Sequence, residues 1–349
     1  MSNNAQTAQQ GGSNGKAYLI LIIGIMAVAF SAPWVKQSNF EPATSVVLRV
    51  GFGLLFLLPF FIREIKKIGK INKTGVILSL VAGLFLGIDF TAWNYSIYFV
   101  GSGIASILLN LQIIILPALA FLFDRERIPK SFFIVAPIMI LGVLMTGGIF
   151  DSAEATEGPT TAWGMNLAVL GTIAGSISGV CYGAYLYTSR KASRVNGIQI
   201  VQPMFFAGLT QLIAPLIVMM FSGRGFDLTH GVLVNGMLPH NPETALGDPI
   251  TGMNWFWMIV LASIGQAVAW TFIQYGAIRL DPTIVAGLLL LSPISTVAVI
   301  AVILFGEIPS TIQIAGVILI LLAVAYQNNL HKVLLGKKSK GDKTPGASS

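Results

Sequence analysis

Charged side chains are scarce in this chain: Asp, Glu, Lys and Arg make up 10% of its 349 residues, against 54% hydrophobic. Soluble domains carry about a quarter charged residues, so a water-facing surface of this size is excluded. The single cysteine, Cys181, leaves no intrachain disulfide and no cysteine metal site. The three histidines, His230, His240 and His331, all fall outside the long apolar runs. No metal centre, histidine relay or other cofactor is therefore expected. Gly11 to Lys16 fails as a phosphate loop: three residues rather than four separate Gly11 from Gly15, and Ala17 stands where Ser or Thr should ligate magnesium. ATP hydrolysis is excluded on that ground. Residues 1–15 also lack a basic start followed by an apolar stretch and a cleavage site, so they read as a disordered tail.

What the chain has is long apolar runs. A hydrocarbon core of about 30 Å takes about 20 helical residues to cross. On that template there are ten spans: 17–35, 43–62, 74–98, 101–123, 131–149, 163–188, 198–222, 254–278, 281–305 and 310–330. The joins near Gly101 and Asp281 leave almost no loop. With the N-terminus in the cytoplasm, 18 of the 21 Lys and Arg fall on the cytoplasmic side, including Arg63, Lys66, Lys67, Lys70 and Lys73 and five tail lysines. That satisfies the positive-inside rule. The net charge of +7 is then topology, and a nucleic-acid partner is not implied.

The fourth and ninth spans echo each other. Phe121-Leu122-Phe123-Asp124-Arg125-Glu126 is answered by Ile303-Leu304-Phe305-Gly306-Glu307, and each copy precedes one more apolar span. Ungapped alignment of 94–126 with 275–307 gives seven identities, including Glu126 with Glu307. Five spans per unit is an odd number, so the second unit is inverted, with Glu126 cytoplasmic and Glu307 external. The fold class expected is an all-α membrane protein of ten transmembrane helices in two inverted five-helix repeats. Its divisions are a tail at 1–16, repeats at 17–149 and 163–330 joined by an outer loop at 150–162, and a Lys-rich tail at 331–349. Inverted repeats characterise transporters.

Leu48-Arg49-Val50, Asp89-Phe90-Thr91-Ala92-Trp93, the helix Gly103 to Phe123 closing on Glu126-Arg127, and Leu291-Ser292-Pro293 through Gly306-Glu307 resemble the EamA family of the drug/metabolite transporter superfamily. The resemblance covers about 18–149 and 163–328. It implies export of small metabolites, amino-acid-like or amphipathic, from the cell membrane by alternating access. It also places Ser292 at the cavity. Two features depart from the family: Gln112 stands where the family usually has the proline seen here as Pro293, and the outer loop 223–253 is long, as a lid or an insertion. The partners implied are a small-molecule substrate, the lipid bilayer, and a coupling proton or counter-substrate; no nucleic acid or obligate protein partner is implied. A sugar-phosphate or nucleotide-sugar exchanger is the alternative, but it calls for intramembrane cations beyond Arg49. A membrane-embedded enzyme needs His, Glu or Asp clustered at one depth, which the spans do not offer.

Within the spans, Arg49 and Asp89 each cost about 2.5–3.5 kcal/mol at mid-bilayer and so need partners. They read either as an ion pair that fixes packing or as a substrate-carboxylate or proton-coupling site. Helical spacing gathers polar and aromatic side chains into three stripes: Asp89, Trp93 and Ser96; Ser178, Tyr182 and Tyr185; Gln266, Trp270 and Gln274. Together they are expected to line one substrate cavity, with ordinary helix packing as the competing account. Asn110 and Gln112 lie about 200° apart on an α-helix, so only one is expected to face it, and alignment with Pro293 favours Gln112. Gly171, Gly175, Gly179 and Gly183 form a four-residue ladder for close helix approach. It is read as a packing face or as a surface on which the repeats rock.

Overall fold

A computed structural model describes residues 2–126, 132–146, 161–162, 165–196, 199–221, 226–232, 247–277, 279–280, 288–289, 292 and 310–327. Among them, seven helical segments are long and apolar enough to cross a membrane, with shorter apolar helices at Phe132–Thr146 and Thr311–Tyr326. These nine correspond to nine of the ten spans read from sequence. The other, 281–305, lies almost wholly outside the described residues, as do Pro293, Gly306 and Glu307.

In chain order the helices are α1 (Ser2–Ala29), α2 (Ser31–Ser38), α3 (Pro42–Ile68), α4 (Lys73–Val100), α5 (Ser102–Leu108), α6 (Gln112–Asp124), α7 (Phe132–Thr146), α8 (Leu167–Asn196), α9 (Val201–Gln211), α10 (Ile213–Phe221), α11 (Gly252–Val260), α12 (Ala269–Ala277) and α13 (Thr311–Gln327). A two-stranded hairpin, β1 (Thr161–Ala162) and β2 (Met165–Asn166), precedes α8. It starts that helix at Leu167 rather than near residue 163. At the N-terminus α1 takes in residues read as a disordered tail. The first span then breaks at Phe30, one turn before Pro33, which has no N–H to return to Ala29.

Local chemistry sets the other ends. Glu41 caps α3 by accepting from the Thr44 N–H at 2.9 Å, with Pro42 at the first helical position. Gly101 has φ of +88°, a conformation that favours glycine, and it lets α4 turn into α5 with no intervening loop.

Two spans are not uniform α-helix. Leu109–Leu111 is a 3₁₀ turn between α5 and α6. Leu261–Val268 is π-helical between α11 and α12, with the Ala269 N–H donating to Ile264 O, five residues back.

Helix pairing follows a definite order. α4 packs on α8 and α12 on α1; α4 packs on α9 and the π segment on α3; α3 also meets α9, and α7 lies along α13. The glycines mark the closest approaches. A Cβ on Gly179 would stand 2.6 Å from the Leu108 carbonyl oxygen, and one on Gly171 would stand 2.6 Å from Val100 Cγ1. The ladder thus packs the α8 face against α4 and the α5–α6 span. Gly87 meets the Gln211 backbone in the same manner, at 2.5 Å.

The described parts of the long outer loop fold back onto the α2–α3 connection. Val232 N–H donates to Asn39 O at 2.9 Å, Ile250 N–H to Thr229 O at 2.8 Å, and Asn254 Nδ2 to Gln37 O at 3.0 Å. Leu228, Ile250 and Trp255 then pack on a buried cluster that includes Val35, Phe40, Trp93 and Leu261. Asp227 pins this fold by accepting from the Thr229 N–H (2.8 Å), the Thr229 hydroxyl (2.7 Å) and the His230 N–H (3.2 Å). Burial pushes its pKa up, but those hydrogen bonds and the nearby His230 outweigh burial and leave it lowered. A depressed carboxylate gives its stabilisation above the ordinary pKa of about 4 and loses it only as pH falls through the lower folded value. The loop is therefore expected to resist limited proteolysis equally at pH 7 and pH 5 and to be cut faster below the ordinary carboxylate range; Asp227→Ala, which removes the acceptor, is cut fast at every pH.

Candidate functional site

Between the helices lies a cavity of about 260 Å³. Its wall holds Arg49, Asp89, Phe90, Trp93, Ser106, Asn110, Gln112, Tyr182, Trp270, Gln274 and Ser292, with Ile25, Val28, Ile273 and Leu289 completing an apolar side. Of the eight cavity residues picked from the sequence, six are on this wall: Trp93, Gln112, Tyr182, Trp270, Gln274 and Ser292. Tyr185 and Gln266 stand one layer behind, on the walls of smaller cavities that also touch Gln274.

Arg49 and Asp89 are each 2% exposed and share the wall, but each takes its own partner from the second half of the chain. Arg49 Nε donates to Gln266 Oε1 at 3.0 Å, and its Nη2 reaches Gly265 O at 3.5 Å. The π segment presents both acceptors. The guanidinium also lies 4.3 Å from the centroid of the Phe90 ring and 5.9 Å from that of Trp93, within cation–π range. Asp89 accepts from the Ser178 hydroxyl at 2.5 Å. Both charges of the first half are thus tied to neutral polar side chains across the interface.

The three stripes meet as aromatic and polar contacts. Tyr182 stacks on Tyr185 at 6.0 Å, and Trp270 meets both rings edge-on at 6.1 Å. Ser96 leaves its stripe and donates to Gly171 O at 2.8 Å, joining α4 to the glycine ladder. Asn110 and Gln112 both reach the cavity, which corrects the expectation that only one would. The 3₁₀ turn explains it: at three residues per turn two steps cover about 240°, leaving them about 120° apart the short way. Phe90 and Ser106 escaped sequence reading. Phe90 follows Asp89 directly, which an α-helical stripe would turn aside, and only its contact with Arg49 singles it out.

Three N–H groups on these side chains find no acceptor among the described residues: Arg49 Nη1, Trp93 Nε1 and Trp270 Nε1. An unsatisfied buried donor costs about 1–3 kcal/mol, so three around one cavity call for an explanation. The arrangement offers donors for an anionic or carbonyl group, a carboxylate for a cationic one, and aromatic walls for an apolar body. No group of three or more His, Cys, Asp or Glu suited to a metal occurs among the described residues.

No curated protein matches the chain. A solved structure described only as "Crystal structure of protein" superposes with a TM-score of 0.57 over 93% of this chain and 99% of its own, at 14% identity, a likeness of fold alone. Residues 15–148 match the EamA-like transporter family, and the match stops short of the second half, where resemblance was also read at 163–328. An integral membrane chain whose residues 15–148 carry Arg49, Asp89 and Trp93 on one intramembrane cavity is thus, over those residues, an EamA domain of the drug/metabolite transporter superfamily.

Proposed function

We propose that the protein is a secondary transporter of ten spans, two inverted five-span repeats at 17–149 and 163–330, exporting small amino-acid-like or amphipathic metabolites across the cell membrane with both termini cytoplasmic. The observation that carries the transport reading is the cavity: two opposite intramembrane charges, three donors unpaired among the described residues and an aromatic wall at the junction of the halves. Intramembrane ionisable residues facing a cavity mark substrate or ion pathways.

Helix pairing supports the duplication. Number the spans in order and exchange each with the one five places on: α4 on α8 becomes α12 on α1, α4 on α9 becomes the π segment on α3, and the α3–α9 and α7–α13 pairs map onto themselves. Leu288 and Leu289, from the ninth span, pack on the cluster of Ala17, Leu21 and Ile25, as the fourth span packs on the sixth.

Alternating access follows from the cross-half ties. A bound ligand whose carboxylate takes Arg49 and whose ammonium takes Asp89 competes with Gln266 and Ser178, loosening two contacts that hold the halves together. A proton on Asp89 has the same effect on the Ser178 tie and supplies a route to coupling. Asp89→Asn is expected to abolish the pH dependence of transport; transport that keeps its pH profile in this variant rejects the coupling role.

The test of the ligand reading is thermal shift on the purified protein with zwitterionic amino acids, monocarboxylates and primary amines. Ligand at 100 times its Kd stabilises by about 2.7 kcal/mol. A shift for the zwitterions that Trp270→Phe weakens, the Phe ring still meeting Tyr182 and Tyr185 but lacking the Nε1–H, is the expected result. No shift with any of the three classes rejects the substrate assignment.

A further inference from the structure

We infer that Tyr185 and Gln274 together form the barrier a ligand crosses between the cavity and the face carrying Arg190, Lys191 and Arg194. The inference rests on the transport reading above and adds the route.

Three cavities lie in series. The central one, about 260 Å³, is followed by one of about 20 Å³ and one of about 40 Å³. Gln274 is on the wall of all three, Trp270 on the first two and Tyr185 on the last two. The outermost is bounded by Ser189 and Ser193 of α8 and by Gln199 and Ile200 just before α9, at the level of the basic residues of α8. The three cavities thus share the side chains of Trp270, Tyr185 and Gln274. Tyr185 of α8 and Gln274 of α12 stand together on the walls of both outer cavities, across the gap between the two helices.

The opposite end of the cavity is built differently. There Trp93 joins a packed cluster with Phe40, Ile97 and Leu261, and the outer loop lies over it through Leu228 and Ile250. Opening that end moves whole helices and a docked loop. Opening the other takes a rotamer change in an unbranched glutamine and a tyrosine, and side-chain rotamer changes are far faster than collective helix motions. The serine and glutamine lining of the outermost cavity suits a hydrated, polar ligand. The structure thus assigns a thin polar partition to the basic face and a thick apolar seal to the other, with Tyr185 and Gln274 deciding what passes the partition.

The test uses the lone cysteine. With Cys181→Ser as background, Ser106→Cys places a thiol on the wall of the central cavity, and a charged, membrane-impermeant thiol reagent is applied to vesicles of either orientation. Tyr185→Ala and Gln274→Ala are each expected to raise the labelling rate from the basic face about tenfold and to leave labelling from the opposite face unchanged. Unchanged labelling from the basic face, or an equal rise from both faces, overturns the assignment. If Tyr185→Ala lowers the yield of folded protein, Gln274→Ala, at a position that is not fully buried, decides alone. Labelling needs no transported substrate: a gated cavity without ligand-induced stabilisation sinks the transport reading and spares the barrier, whereas the reverse sinks the barrier only.

Discussion

Gly179→Leu is expected to yield no monodisperse folded protein, and Gly179→Ala to lower stability by about 1–3 kcal/mol, the usual cost of overpacking a filled interior. The reason lies in what the new side chain meets. At 2.6 Å the Leu108 carbonyl oxygen is helix backbone and cannot swing aside as a side-chain tip would, and Leu111 Cβ follows at 2.9 Å. To admit a methyl group α8 must back away from the α5–α6 span. That in turn moves Ser178 relative to Asp89 and Tyr182 relative to the cavity. Gly51, with nothing within 4 Å of its added Cβ, is the control: Gly51→Ala is expected to be neutral or to stabilise by up to about 1 kcal/mol through helix propensity. Thermal melting in detergent of the three variants beside the parent checks this. An Ala at 179 as benign as one at 51 would show that α8 slides freely on its neighbours, favouring the rocking-surface account of the ladder over packing.

Arg49→Met is expected to lose the ligand at a moderate cost in stability, while still yielding folded protein. Arg49 is among the largest fully buried side chains of the chain; Met fills most of its volume without burying a charge, but it leaves the buried Asp89 with no opposite charge on the same wall, which destabilises. Gln266 Oε1 also loses its donor, at a cost of about 1–3 kcal/mol. For a ligand carboxylate the loss is not offset: removing one partner of a buried charged hydrogen bond costs about 2–5 kcal/mol, roughly thirtyfold or more in affinity. Arg49→Lys is expected to fall in between, since an ammonium lacks the planar fork that meets Gln266 and stacks on Phe90 together. Melting with and without zwitterionic ligand reads both effects. A variant that melts as the parent does and keeps the full ligand shift would make Arg49 a packing residue.

Much of this architecture is written in composition. Hydropathy finds the spans because the bilayer demands one length and one solvent preference. Spacing finds the cavity wall because α-helical period fixes which side chains share a face: Tyr182, Trp270, Gln274 and Asp89 were grouped from that alone. The misses occur where the period changes. Nothing in Leu-Ala-Ser-Ile-Gly-Gln-Ala-Val announces a π-helix, since no proline forces it. Within that segment Gln266 lies behind the cavity and on Arg49. The 3₁₀ turn before Gln112 is equally silent, and it admits Asn110. The choice of partner for Arg49 and Asp89 was out of reach as well, because both partners come from spans far along the chain, and sequence distance says nothing of contact between packed helices. The outer loop gave length but not destination. Its anchors at Gln37 and Asn39 are backbone carbonyls, which any residue supplies.

The central claim is a duplicated, inverted transporter, and one measurement tests it most directly. On the Cys181→Ser background, Glu126→Cys and Glu307→Cys are made singly and labelled with a membrane-impermeant thiol reagent in right-side-out and everted vesicles. The account predicts opposite faces: position 126 labels only from the face of Arg190 and Arg194, its ion-pair partners at 3.6 and 3.7 Å, and position 307 only from the other. Labelling of both from the same face would contradict the inversion and the alternating-access mechanism built on it.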